Sequence, residues 1–189
     1  MSFTPDSVKQ LLISEELGDR LSGVNQLRQI APAIAFELIQ TPIKDKDTRV
    51  RYAAVSQMSS LGEQNLTISQ EILCECLLQD PEPDVQAAAA DAMGALKMTQ
   101  AFDDLLQVYQ NTPEWLVKLS IVAAVGEIGE PKAFYLLEDA LKSDNELIQT
   151  IAISALGELG NLEAIPLLKP FAIHSDWPVS YTHLRAHET

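Results

Sequence analysis

Residues 148–160 read IQTIAISALGELG, and this stretch decides the fold. Drawn as a helix, it puts Ile148, Ala152, Ala155, Leu156 and Leu159 in one apolar stripe. Gly160 follows, where a left-handed residue is expected to end the helix. The same ladder stands upstream. Residues 117–129 set Val117, Ile121, Val125 and Ile128 at the matching places, and residues 85–96 set Val85, Ala89, Met93 and Leu96. Residues 50–62 set Val50, Ala54, Met58 and Leu61 before Gly62. A degenerate copy over 19–31 keeps Gly23, Leu27 and Ile30, and another begins at Val179. Anchors at 19, 50, 85, 117, 148 and 179 are 31, 35, 32, 31 and 31 residues apart. A fixed period of this size marks stacked units that pack only on their neighbours.

Each anchor helix is preceded by another. Thr4-Pro5-Asp6 opens the first, Ala31-Pro32-Ala33 breaks the chain before the second, and residues 68–78, 102–109, 131–141 and 162–171 supply the rest. Leu17-Gly18 reads as the turn into the degenerate copy, and Asp80-Pro81 and Thr112-Pro113 read as N-cap-plus-proline starts for the helices after them. The long 35-residue interval predicts an extended loop around residues 62–69. Alternation typical of strands does not persist, so the expected fold is all-α. It is a right-handed α-solenoid of about five helical hairpins of ~31 residues.

The 27 acidic and 13 basic residues give a net charge of −14, which disfavours nucleic acid and anionic membrane as partners. No apolar run approaches membrane-spanning length, and the N-terminus lacks a signal-peptide apolar region, so a cytoplasmic location without membrane insertion is expected. Cys74 and Cys76, two apart on a helix, point in different directions and read as small buried hydrophobes rather than metal ligands. Residues 1–178 form the expected solenoid. The block VSYTHLRAHET (179–189) looks like a translated sequencing adaptor, which would leave the solenoid truncated at its C-terminus. A metal pair at His183 and His187 is correspondingly disfavoured.

Three constellations stand out. An acid or amide lies four residues before the residue after each anchor: Glu16/Arg20, Asp47/Arg51, Glu82/Gln86, Glu114/Lys118 and Asn145/Gln149. That order suits i, i+4 pairs along each helix. Opposite the stripe, Tyr52 and Asp91 are the distinctive side chains of an otherwise smooth floor expected on the concave face. Gly94, Gly126 and Gly157 recur there at one repeat position, which suggests close approach. Trp115 and Trp177 share the place two before an anchor, where a tryptophan is either an interface anchor or a packing staple. Glu127 and Glu158 also share a repeat position, but a spacing of about 10 Å between adjacent units would keep them from sharing a proton. No preorganised catalytic set is legible. Tetratricopeptide and ankyrin signatures are absent, as are phosphate loops and triads.

The run from Asp80-Pro81 to Leu96, and GELGNLEAIPLL over 157–168, resemble the HEAT-like repeats of phycobilin lyases. Within that family the chain is most similar to the non-bleaching B type of phycobilisome-degradation protein. Residues 18–30, 50–58, 84–97 and 163–168 carry the closer likeness. The resemblance implies a cyanobacterial protein of phycobilisome turnover. Its partners would be phycobiliprotein subunits, phycocyanin or allophycocyanin, and its place the thylakoid-proximal, phycobilisome-associated cytoplasm. It implies no stably bound cofactor, but phycocyanobilin as a possible ligand. The alternative is a bilin lyase, attaching or detaching the pigment at a cysteine thioether and working with a second lyase-like subunit. A generic HEAT adaptor is the remaining alternative. For a bound bilin, Arg51 and Lys118 are the candidates for propionates, Tyr52 or Trp115 for stacking, and Asp91 for the pyrrole nitrogens.

Overall fold

A computed structural model describes residues 4–173, which fold into 11 α-helices joined by short turns, with no strand among the described residues. Five pairs are complete: α1 (Pro5–Leu12) with α2 (Leu17–Gln26), α3 (Pro32–Ile39) with α4 (Thr48–Leu61), and α5 (Leu66–Gln79) with α6 (Pro83–Ala95). Next come α7 (Phe102–Asn111) with α8 (Trp115–Ile128), then α9 (Phe134–Ala140) with α10 (Glu146–Leu159), before α11 (Ala164–Leu168) begins another unit. The copy expected at Val179, Trp177 and the histidine pair lie outside the described residues.

The apolar ladder is the core. Val50, Val85, Val117 and Ile148 are buried at equivalent places, and Ala54, Ala89, Ile121 and Ala152 are buried one turn later. The second helices pack side by side more closely than the first helices do, which sets them on the inner side of the curve. Because α6 and α8 touch a neighbour on each flank, they bury residues around most of their circumference, including Ala87, Ala90, Ser120 and Val122. That removes the polar face a surface helix would keep.

The helix ends follow from their sequences. Thr4 and Ser7 form a reciprocal capping box on α1. Asn65 caps α5 through the Ile68 N–H, and Asn145 caps α10 through Leu147 and Ile148. Gly129 and Gly160 end α8 and α10 in the left-handed region, at φ 73° and 66°. Lys97 holds the same repeat position and also adopts positive φ (53°), while Gly62 there stays right-handed. Asn145→Ala should lower the unfolding free energy by about 1 kcal/mol in a denaturant melt.

Three expectations require correction. Leu17 and Gly18 are the first residues of α2, not a turn. The residues behind the 35-residue interval lie in α5, which has 14 residues where α3, α7 and α9 have 8, 10 and 7; Gly62–Gln64 is only a tight 3-10 turn. The run LTISQEILCECLLQ holds no proline or glycine to stop it once Asn65 has capped it. Helix α6 starts at Glu82-Pro83 and α8 at Glu114-Trp115. Asp80 and Thr112 stand further back because their side chains build the preceding turn.

Candidate functional site

The turn between the two helices of each pair is the most regular polar feature. Five residues before each anchor stand Ser14, Asp45, Asp80, Thr112 and Ser143. Each accepts a hydrogen bond from the backbone N–H two residues on, at 2.8–3.2 Å. The residue after the anchor reaches back to the same turn. Arg20 donates to the Ser14 carbonyl (3.0 Å), Arg51 to that of Asp45 (3.1 Å), Gln86 to Asp80 (2.8 Å) and Gln149 to Ser143 (2.7 Å).

The arginines also cross to the next repeat. Arg20 grips Asp45 through Nε (2.7 Å) and Nη2 (3.3 Å), and Arg51 grips Asp80 at 2.8 and 2.9 Å. These forks are nearly dry: the Arg51 and Asp80 side chains are 13% and 8% exposed. Among the described residues none of the five expected i, i+4 pairs forms; at the first two junctions an arginine pairs with the next repeat's aspartate instead, while Gln86 and Gln149 stay within their own turns. A guanidinium can satisfy a carboxylate and a carbonyl at once across a buried junction, which no exposed i, i+4 pair matches. The hydrogen bond to Asp80 raises the Arg51 pKa further, so this side chain is a fixed structural cation.

The other candidate residues are spread along the second helices. Tyr52 on α4 is 48% exposed. Asp91 on α6 is exposed, yet desolvation pushes its carboxyl pKa up and the Ser120 hydroxyl opposes the shift. Trp115 opens α8 and is 51% exposed. Glu127 and Glu158 are exposed; the Glu127 carbonyl accepts from the Lys97 ammonium, and the Ser154 hydroxyl reaches the Glu158 carboxylate at 3.5 Å. Gly94 and Gly126 sit where adjacent second helices touch. A Cβ on Gly94 would lie 2.7 Å from Ala124 Cα, and one on Gly126 would lie 2.6 Å from Ala155 Cβ.

Lys118 lies elsewhere, in a cleft of about 430 Å³ lined by Leu106, Tyr109, Gln110, Tyr135, Leu136 and Asp139. Its ammonium is 5.4 Å from the centroid of the Tyr109 ring, and the Tyr109 hydroxyl donates to Asp139 at 3.1 Å. Burial, with Asp139 alongside, pushes the Tyr109 phenol pKa up. Lys118 alone of the five candidates lies in this cleft. Tyr109, Tyr135 and Asp139 escaped notice because the repeat reading followed the second helices. The shared acceptor five before each anchor was the legible signal for the turns.

Neither cysteine is poised as a nucleophile. Burial pushes the Cys74 thiol up to about 12, helped by its hydrogen bond to Asp104 at 3.3 Å, and burial pushes Cys76 up to about 11. The native protein should therefore react with iodoacetamide on the order of a hundredfold more slowly than a free thiol near neutral pH, a rate that mass spectrometry reads directly. Among the described residues no group of three His, Cys, Asp or Glu side chains can hold a metal, and no helix is long and apolar enough to cross a membrane.

Comparison with known proteins agrees with this architecture. The HEAT repeats family matches residues 70–156, and the PBS lyase HEAT-like repeat matches residues 148–174. The phycocyanin operon protein Z of Pseudanabaena tenuis, itself uncharacterized, is 25% identical over 67% of this chain and 64% of its own length. The bilin biosynthesis protein PecE of Mastigocladus laminosus is 26% identical over 76% of this chain and 55% of its own. The chain thus spans less than two thirds of either relative. Among solved structures, the complex of CpcE and CpcF of phycocyanin lyase from a Nostoc species superposes with a TM-score of 0.72 at 20% identity, covering 97% of this chain and 76% of that one. Human deoxyhypusine hydroxylase shares the fold more loosely, with a TM-score of 0.53 at 15% identity over 97% of this chain and 88% of its own. Both structural likenesses speak to the fold. The repeat ladder and the helical pairs make the described residues an all-α solenoid, and residues 70–174 match HEAT-like repeats, the last of them, 148–174, of the PBS lyase type.

Proposed function

We propose that this chain acts as one subunit of a bilin lyase, holding an open-chain tetrapyrrole against a phycobiliprotein subunit together with a second HEAT-repeat subunit. The observation that carries the reading is the fold shared over 97% of the chain with a protein of the phycocyanin lyase complex. A relative named for bilin biosynthesis supports it. None of the relatives above is named for degradation, so pigment handling takes precedence over turnover. Association with the phycobilisome follows from the substrate, phycocyanin or allophycocyanin. Tyr52, Asp91 and Trp115 are the proposed contacts on the inner layer. Arg51 is withdrawn from that set, because Asp80 and the Asp45 carbonyl already claim its guanidinium.

The test is a spectral titration with phycocyanobilin, followed by incubation with a pigment-free phycocyanin subunit and, separately, with pigmented phycocyanin, each with and without a second lyase subunit. The expected result is a new bilin band and covalent pigment gained or lost by the phycocyanin subunit. Co-elution with phycocyanin while all spectra stay unchanged would reduce the chain to a docking protein. Tyr52→Ala and Asp91→Ala should each weaken bilin or partner binding several-fold without lowering the thermal midpoint, since both side chains are exposed. An equal loss of stability would make them structural.

A further inference from the structure

At the residue after each anchor, the repeats solve one problem in different ways. Arg20 and Arg51 reach an aspartate in the next repeat's turn, and Gln86 and Gln149 donate to their own turn's carbonyl. Lys118 stands at the same place, but the next turn offers Ser143 where Asp45 and Asp80 serve the arginines. Among the described residues no carboxylate lies within ion-pairing distance of Lys118, although four other lysines have one. Lys118 is thus a half-buried cation that makes no direct ion pair, and the carboxylate in its cleft, Asp139, is held by the Tyr109 hydroxyl instead.

The space in front of it has a definite shape and chemistry. The Tyr109 ring lies beneath the ammonium and is tied by its hydroxyl to Asp139. Tyr135 forms an aromatic wall that is 74% exposed, while Leu106 and Leu136 give the cleft an apolar lining. Asp139 and Gln110 add acceptors beside the cation. A flat apolar body satisfies the two tyrosines, a carboxylate satisfies Lys118, and an N–H donor satisfies Asp139.

We propose that this cleft between α7, α8 and α9 is a binding site for a planar, N–H-bearing aromatic carboxylate, with Lys118 as the partner of the carboxylate. A tetrapyrrole with propionate arms is one such molecule, and the proposal rests on the lyase reading only for that choice of probe. Lys118 is a binding residue here, and no bond is made or broken at the cleft.

The test titrates the full chain with phycocyanobilin and with its dimethyl ester, read by absorbance. The unmodified protein should prefer the free acid. Lys118→Met keeps the apolar stem over Tyr109, and it should weaken the acid about tenfold or more while leaving the ester unchanged, so that the preference disappears. Lys118→Arg should retain it, and Tyr135→Ala should weaken both ligands. Lys118→Gln stands in if the methionine variant has a lowered thermal midpoint. Equal affinity for acid and ester in the unmodified protein, no bilin binding at all, or a preference that survives Lys118→Met would each overturn the site. Saturable Lys118-dependent binding without pigment transfer would sustain the site and defeat the lyase reading. Transfer that proceeds while Lys118→Met keeps full affinity would do the reverse.

Discussion

Arg51→Ala should lower the unfolding free energy by about 3–5 kcal/mol, because it leaves the Asp80 carboxylate in a nearly dry junction without its counter-charge. The loss has three parts. The fork to Asp80 disappears, the Asp45 carbonyl loses its donor, and the arginine stem leaves the space between α4 and α5. Asp80 retains only its hydrogen bond from the Glu82 N–H, which cannot neutralise it. Arg51→Lys should recover little, since a single ammonium cannot bridge the carboxylate and the carbonyl with fork geometry. The double variant Arg51→Met, Asp80→Leu should recover most of the loss, because removing both partners also removes the desolvation cost. Denaturant melts measure the size of the effect, and hydrogen exchange should locate it at the junction of the second and third repeats. A change under about 1 kcal/mol would mean that the junction is as wet as an ordinary surface pair.

Gly94→Val should cost about 3 kcal/mol, from a different cause. The added Cβ would meet backbone, Ala124 Cα at 2.7 Å and Ala124 Cβ at 3.0 Å, and neither can rotate away. Helices α6 and α8 would have to separate, opening the stack between the third and fourth repeats. Gly18 makes the useful contrast. It too lies within a helix, but a Cβ there meets nothing within 4 Å, so Gly18→Ala should stabilise by about 0.5 kcal/mol. Opposite signs in paired thermal melts would establish that contact with the neighbouring repeat, rather than helix propensity, governs the mid-helix glycine at 94. A neutral Gly94→Val would show that the helices slide past one another freely.

Much of the fold was legible because a solenoid writes its packing into its period. The stripe through Val50, Val85, Val117 and Ile148 is local information repeated, and each of these residues is buried as the pattern requires. Gly129 and Gly160 were readable as helix ends for the same reason, since the left-handed conformation is a property of one residue. Asp80 was misread because its role depends on two partners at different sequence distances: the Glu82 N–H close by, and Arg51 in the preceding repeat.

By itself, then, the sequence determined the class of fold, the five helical pairs, the buried stripe and the close approaches at Gly94 and Gly126, though not at Gly157, where an added Cβ meets nothing within 4 Å. All of these depend on spacing within about one turn of helix or one repeat. Only the tertiary structure decided which charges meet. It paired Arg20 with Asp45 and Arg51 with Asp80, and it left Lys118 beside Tyr109 and Tyr135 at the mouth of a cleft. The physical reason is reach. A long cationic side chain spans the gap to the next repeat and takes whatever the neighbouring turn presents, an aspartate at 45 and 80 but a serine at 143.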